Sequence, residues 1–191
     1  MYIVLWRDDL LKKEDNVVKN QNVFLFWDGI LSQWHSSEFA LDGLAFKWAE
    51  QWMMYKKAEI FGDTETMKKV LRAESPKECK QLGRQVCGFI SSEWDKVSRD
   101  IVYEGNIAKF SQNVELKKQL LDTGDAMLVE ASPYDKKWGI GLAASDPRAK
   151  DPSRWLGTNW LGEVLMRVRT ELRRRQESAV DQIHKKKGRK K

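Results

Sequence analysis

Histidine and cysteine are scarce in this chain of 191 residues: there are two of each, and they are badly spaced for holding a metal. Seven residues separate Cys79 from Cys87, and His35 lies far from His184, so the ligand spacings of zinc sites are excluded. Two cysteines without a secretory core suit a reducing compartment. Met1 to Trp6 is too short for a signal peptide and runs into Arg7-Asp8-Asp9 instead of a cleavage site, so we expect a cytoplasmic protein, or a nuclear one. No apolar run approaches the roughly 20 residues of a membrane span. Gly139-Ile-Gly141 is too short for a dinucleotide fingerprint, and no Gly-rich loop ends in Gly-Lys-Ser or Gly-Lys-Thr. Rossmann enzymes and nucleotide kinases are excluded on that ground. Nor is there an internal repeat.

What the chain has in excess is tryptophan: nine, at 6, 27, 34, 48, 52, 94, 138, 155 and 160. Flat faces with a polar edge suit a core, and they equally suit stacking on a base or covering a ribose. With 41% apolar residues the length supports one domain with a real core. The formal charge of +6 is unevenly spread. Residues 173–191 hold nine Lys or Arg against Glu177 and Asp181, a balance of +7 that leaves −1 for everything else. We therefore expect a nearly neutral domain over residues 1–172 and a basic tail over 173–191, disordered past the last helix. Such a tail suits phosphates, solubility or a localisation signal.

Along the chain, Val23 to Trp27 reads as a buried strand closed by Asp28-Gly29, and Phe39 to Phe46 reads as a hairpin around Asp42-Gly43. Helical periodicity follows from Phe46 to Phe61 and stops at Gly62. Ser75-Pro76-Lys77-Glu78 is a capping box with Pro at the first helical position, starting a helix that stops near Gly83. Further helices are expected over Ser92–Glu104, Ile107–Gln112 and Val114–Asp122, then a strand from Ala126 to Ala131. After a polar loop from Ala144 to Arg154, a last helix begins near Asn159 with Leu161, Leu165, Val168 and Leu172 on one face. The expected fold class is α+β, a helix-rich domain packed on a small β-sheet.

In the Phe46–Phe61 helix, the positions Phe46, Glu50, Met53, Lys57 and Ile60 share one face. Two of the five are charged. A stripe otherwise made of Phe, Met and Ile faces the core, which would place Glu50 and Lys57 at a cleft wall, about 10 Å apart along the axis. Burial raises a Glu pKa and lowers a Lys pKa, giving a proton donor and an amine nucleophile near neutral pH. The alternative is that Trp48, Trp52 and Tyr55 mark the core face and the charged pair faces water.

The segment Leu128 to Gly141 strings Glu130, Asp135, Trp138 and two glycines directly after a strand covered on both faces. Pro133 ends that strand, so Tyr134, Asp135 and Trp138 fall in a loop at the sheet edge. Asp135 there either caps a backbone turn or serves a site. Arg84 at a helix end is a surface cation or a phosphate ligand, and Asn113 and Asn159 are N-caps or ligands.

Taken together the chain resembles the NADAR (YbiA-like) family from Phe24 to about Leu172. The resemblance is carried by Phe26-Trp27 with Gly29, Asp42-Gly43, Ala49-Glu50-Gln51, Met53-Met54, Lys57-Ala58, Phe61-Gly62-Asp63 and Leu82-Gly83-Arg84. Downstream it continues through Ala108-Lys109-Phe110, Gln112-Asn113, Thr123-Gly124, Glu130-Ala131-Ser132-Pro133, Asp135, Trp138 to Gly141, Trp155, Gly157, Asn159, Leu161-Gly162, Leu165-Met166 and Val168-Arg169. The resemblance implies a YbiA-like fold and a hydrolase, independent of metal or cofactor, that cleaves N-glycosidic bonds to ribose. Implied substrates are ADP-ribose attached to guanine in nucleic acid or ribosylamino-pyrimidine intermediates of riboflavin synthesis. A non-catalytic ADP-ribose or NAD-binding module is the alternative from another class.

Glu50 and Lys57 are implied to be catalytic, with Asp135 orienting the ribose or the nucleophile. Trp27, Arg84, Asn113, Glu130, Ser132, Trp138 and Asn159 are the implied substrate contacts, Trp27 and Trp138 by stacking and Arg84 through phosphate. Two features depart from the family pattern: Ser32-Gln33-Trp34 replaces Ser-Asn-Phe, and the basic tail lies outside the shared domain. The tail favours a polyanionic substrate.

Overall fold

The computed structural model describes residues 22–188, with side chains up to residue 182. Met1 to Trp6 and residues 189–191 of the basic run lie outside the residues so described.

Strand β1 (Val23–Phe26) pairs in parallel with β4 (Met127–Glu130), Phe24 opposite Leu128 and Phe26 opposite Glu130. A parallel pair needs a crossover. Here the crossover takes in the hairpin β2 (Phe39–Leu41) and β3 (Leu44–Phe46), then α1 (Ala49–Ile60), α2 (Thr64–Arg72), α3 (Pro76–Arg84), α4 (Ser91–Gln112) and α5 (Val114–Asp122). Two short 3-10 turns at Pro147–Lys150 and Pro152–Arg154 precede α6 (Trp160–Gly188). The strands thus form two separate two-stranded sheets, one parallel and one antiparallel.

The hairpin forms as its sequence dictates. Asp42 and Gly43 both take positive φ, 52° and 76°, as a primed two-residue turn requires. Helix α1 is the centre of the molecule. It packs on α2, α3 and α4, and buries Ala49, Glu50, Gln51, Trp52, Met53, Met54 and Ala58, so it has no solvent stripe in its first half. Trp52 donates its indole N–H to the Ile101 carbonyl at 2.8 Å. Gly105 allows this approach, since a Cβ there would run into the Trp52 ring.

Helix α4 runs without a break where the sequence suggested two pieces divided at Gly105-Asn106. The Asn106 amide turns back to the Val102 carbonyl and across to Gln33, and Gly105 packs on Trp52, so tertiary contacts hold the poor helix formers in line. Helix α6 runs past Leu172 to Gly188, so the last helix reaches well into the basic segment that begins at Arg173. Arg, Glu, Gln and Ala extend a helix already nucleated on the core, and Glu171 pairs with Arg174 and Arg175 at 2.8 and 2.7 Å. A lack of apolar residues rules out a core, not a helix. Among the described residues no helix is long and apolar enough to cross a membrane.

Candidate active site

The carboxyl end of β4, the face of α1 and the face of α3 meet around two neighbouring cavities that share part of their lining. Gly83 lets α3 lie close to α1, because a Cβ there would fall on the Met54 side chain. The inner cavity, about 240 Å³, is lined by Glu50, Lys57, Phe89, Trp94 and Trp138 among others. The outer one, about 450 Å³, is lined by Trp27, Lys77, Gln81, Ser132 and Tyr134. Ser32, Trp34, Lys80, Arg84, Glu130 and Asp135 line both and form the wall between them.

Glu50 is 5% exposed. Its N–H donates to the Gln33 carbonyl at 3.0 Å, which ties the first turn of α1 to the loop carrying Trp34. Burial pushes its carboxyl up to about 7, against the pull of Lys80, the Trp34 side chain and Arg84. Lys57, half-buried on the same face two helical turns further on, donates to the Gly83 carbonyl at 2.6 Å and lies 3.7 Å from the Phe89 ring centroid. Burial lowers its pKa, and the charge of Glu50 opposes the fall. The α1 face bearing Glu50, Met53 and Lys57 therefore points inward, while Ile60 at its end is exposed; Phe46, expected on the same helical stripe, is buried as the last residue of β3, because the helix begins only at Ala49. Trp52 is buried as well, since helices surround α1 on several sides.

Asp135 caps the turn, as its sequence context allowed, and also lines both cavities. One carboxylate oxygen accepts the N–H groups of Lys137 and Trp138 at 2.9 and 2.8 Å, closing the loop, and the other stands 3.9 Å from Lys80. Glu130 is pinned through its backbone: its N–H donates to the Asn159 side chain at 3.0 Å and its carbonyl accepts from Ile140 at 3.0 Å. Its carboxyl is pushed up to about 8, first by burial and then by the negative charge of Asp135.

Trp27 and Tyr134 meet edge to face with ring centroids 5.8 Å apart at the outer mouth. Trp138 sits in the inner cavity against Trp160. The remaining two candidates lie elsewhere. Asn159, buried with φ 55°, serves the open edge of β4 by accepting from Glu130 and donating to the Leu128 carbonyl, in place of a missing strand. Asn113 lines neither cavity; it donates to the Glu38 and Lys109 carbonyls and ties α4 to the hairpin approach. Both asparagines act through backbone, and Asn113 makes no side-chain capping bond to α5.

Lys80 is a cavity-lining cation that the sequence motifs do not single out. Lys77, Lys80, Gln81 and Arg84 follow helical spacing on α3, and all four line the outer cavity, so the signal was a polar stripe beginning at the capping box. Cys79, on the opposite side of that helix, is fully buried and its thiol is pushed up to about 12, which makes it a packing residue and not a nucleophile. Among the described residues no group of three His, Cys, Asp or Glu side chains is placed to hold a metal ion.

The arrangement is a concave site with aromatic rings at both ends, buried carboxyl groups moved toward neutrality and cations along one side, the kind of cleft in which acid-base chemistry is done. The model of the NADAR domain matches residues 25–173, and the chain belongs to the NADAR family. It is similar to an N-glycosidase of Acanthamoeba polyphaga mimivirus, 47% identical over 147 residues that span 74% of this chain and 86% of the viral one. Protein irg-1 of Caenorhabditis elegans is 44% identical over 70% of this chain and 64% of its own. The NMR structure of the Escherichia coli protein YbiA superposes with a TM-score of 0.68 at 25% identity, covering 82% of this chain and 88% of that one. Membership sets the chemical class as hydrolase acting on N-glycosyl compounds.

Proposed function

We propose that this N-glycosidase removes ADP-ribose from guanine in nucleic acid, with Glu50 as the group that activates water toward C1′. The observation that carries the reading is the pair of neighbouring cavities that share the cations Lys80 and Arg84 in their lining. A ribosyl-phosphate needs the inner cavity and one cation. ADP-ribose has a second nucleoside and two phosphates, which match the Trp27 and Tyr134 rim and the Lys77, Lys80 and Arg84 stripe of the outer cavity.

In this reading the ribose lies between Glu50 and Asp135, the base stacks on Trp138, and Arg84 and Lys80 hold the diphosphate. Ser132 contacts the sugar from the end of β4. A carboxylate with a pKa near 7 accepts a proton from water efficiently at neutral pH. The lowered pKa of Lys57 favours a second route, in which its amine traps the opened ribose as a Schiff base.

The test incubates the full chain with an oligonucleotide ADP-ribosylated on guanine and, separately, with the ribosylamino-pyrimidine phosphate of riboflavin synthesis. Release of intact oligonucleotide and free ADP-ribose supports the proposal; cleavage of the pyrimidine adduct alone supports the metabolic alternative. Binding of ADP-ribose with no turnover of either, unchanged in Glu50→Gln, overturns an enzymatic role. Borohydride added during turnover separates the routes: a covalent adduct lost in Lys57→Ala marks the Schiff base, and no adduct marks direct attack by water.

A further inference from the structure

The wall between the two cavities contains one polar atom that the rest of the fold leaves without a partner. Glu130 Oε2 is buried and makes no hydrogen bond, although the residue's backbone is fixed on both sides by Asn159 and Ile140. Buried polar atoms in folded proteins are nearly always satisfied, and an orphan carboxylate oxygen held rigidly at a cavity wall is an arrangement kept for a ligand. Glu130 lines both cavities, as does Asp135, while Glu50 lines only the inner one. The groups facing it are Asp135 from the loop after β4, Glu50 from α1 and Lys80 from α3; the two carboxylates disfavour its ionised form and the lysine opposes them.

We propose that Glu130 is the proton donor to the nitrogen that leaves C1′, working opposite Glu50. This rests on the N-glycosidase reading above and divides the labour within it. The C1′–N bond breaks and its electron pair stays on nitrogen; the proton on Glu130 moves to that nitrogen, so the base departs neutral. A water molecule adds its oxygen to C1′ and gives its proton to Glu50. Glu130 ends ionised and Glu50 protonated, and both return to their starting states by exchange with solvent after release. The Schiff-base route makes the same demand on Glu130, since a leaving amine needs a proton whichever nucleophile attacks. Burial of Glu130 agrees with this role, since it favours the protonated form that a donor needs.

Glu130→Gln keeps the shape and removes the proton. The proposal expects its kcat on the guanine adduct to fall by about 100-fold or more, the range for loss of general acid catalysis, with KM within about threefold. The decline of wild-type kcat at alkaline pH should vanish in Glu130→Gln and persist in Glu130→Asp, which keeps an acid there. Infrared difference spectra of the unliganded protein give a readout apart from activity: a protonated carboxylic acid carbonyl stretch at pH 7 that persists in Glu50→Gln and is lost in Glu130→Gln. A Glu130→Gln enzyme within threefold of wild type, or no such infrared signal, overturns the proposal. A wild-type protein that releases base from neither adduct overturns the hydrolase reading itself, and the role of Glu130 falls with it.

Discussion

At the scale of single residues, the candidate site places two carboxyl groups, Glu50 and Glu130, where burial resists their ionisation. Glu50 has the acidity of a group near neutrality because helices surround it, and the cations of Lys80 and Arg84 only partly offset that burial. This has a consequence for stability with a definite sign. The folded-state pKa of about 7 lies above the ordinary 4.5, so the folded protein holds a proton that the unfolded chain gives up. The corresponding stability is complete below pH 4.5 and is lost as pH rises through about 7. The loss is on the order of 3 kcal/mol, at 1.36 kcal/mol for each unit. Glu50→Gln therefore raises the melting temperature at pH 8 by several degrees, at about 2–4 °C per kcal/mol for a chain of this size, with little change at pH 4. Thermal melts at the two pH values check it, and an equal shift at both would contradict the burial argument.

Glu50 and Lys57 were legible in the sequence because a helix repeats every 3.6 residues, so a charge on an apolar stripe announces itself. Lys80 was equally periodic, yet its stripe carries no apolar contrast and reads as an ordinary solvated face. The orphan oxygen of Glu130 and the bond from Lys109 to the Ser32 carbonyl, 77 residues away, follow only from tertiary contact.

At the scale of elements, local chemistry fixed those that end on strong signals. Ser75 accepts from the Glu78 N–H at 3.2 Å and starts α3 where the capping box placed it, and the Asp42-Gly43 turn set the register of β2 on β3. Helix α2 had a signal that was not read: Asp63 caps it by accepting from the Thr66 N–H and hydroxyl at 3.0 and 2.7 Å. The parallel pairing of β1 with β4 was out of reach, because nothing local specifies a partner across five helices.

The same contacts predict where the scaffold is brittle. Gly105→Ala drives a methyl into the Trp52 indole, which cannot retreat while its N–H is bonded to Ile101. Overpacking of this kind costs about 1–3 kcal/mol, and urea unfolding should show a lower midpoint with an unchanged m-value. A midpoint equal to wild type would mean that α4 is free to shift away from α1.

At the scale of the whole molecule, a nearly neutral body carries a basic helical extension. Residues 174–182 of α6 are exposed on every side, so this part of the helix has no core to serve. If it holds nucleic acid, a chain ending at Arg173 binds an ADP-ribosylated oligonucleotide more weakly, and log K falls less steeply with log salt. Hydrolysis of a mononucleoside adduct should be unaffected by the truncation, because the cavity lies wholly within the family domain. Equal salt slopes for the two chains would remove the extension from any role in substrate capture.

The central claim, a buried Glu50 activating water at a ribose C1′, meets its most direct test in one assay. Release of ADP-ribose from a guanine-modified oligonucleotide is followed for wild type and Glu50→Gln at saturating substrate and neutral pH. The account predicts turnover by wild type and a loss of about 100-fold to 10,000-fold in kcat in the variant, with ADP-ribose still bound. Turnover that survives Glu50→Gln intact would contradict it.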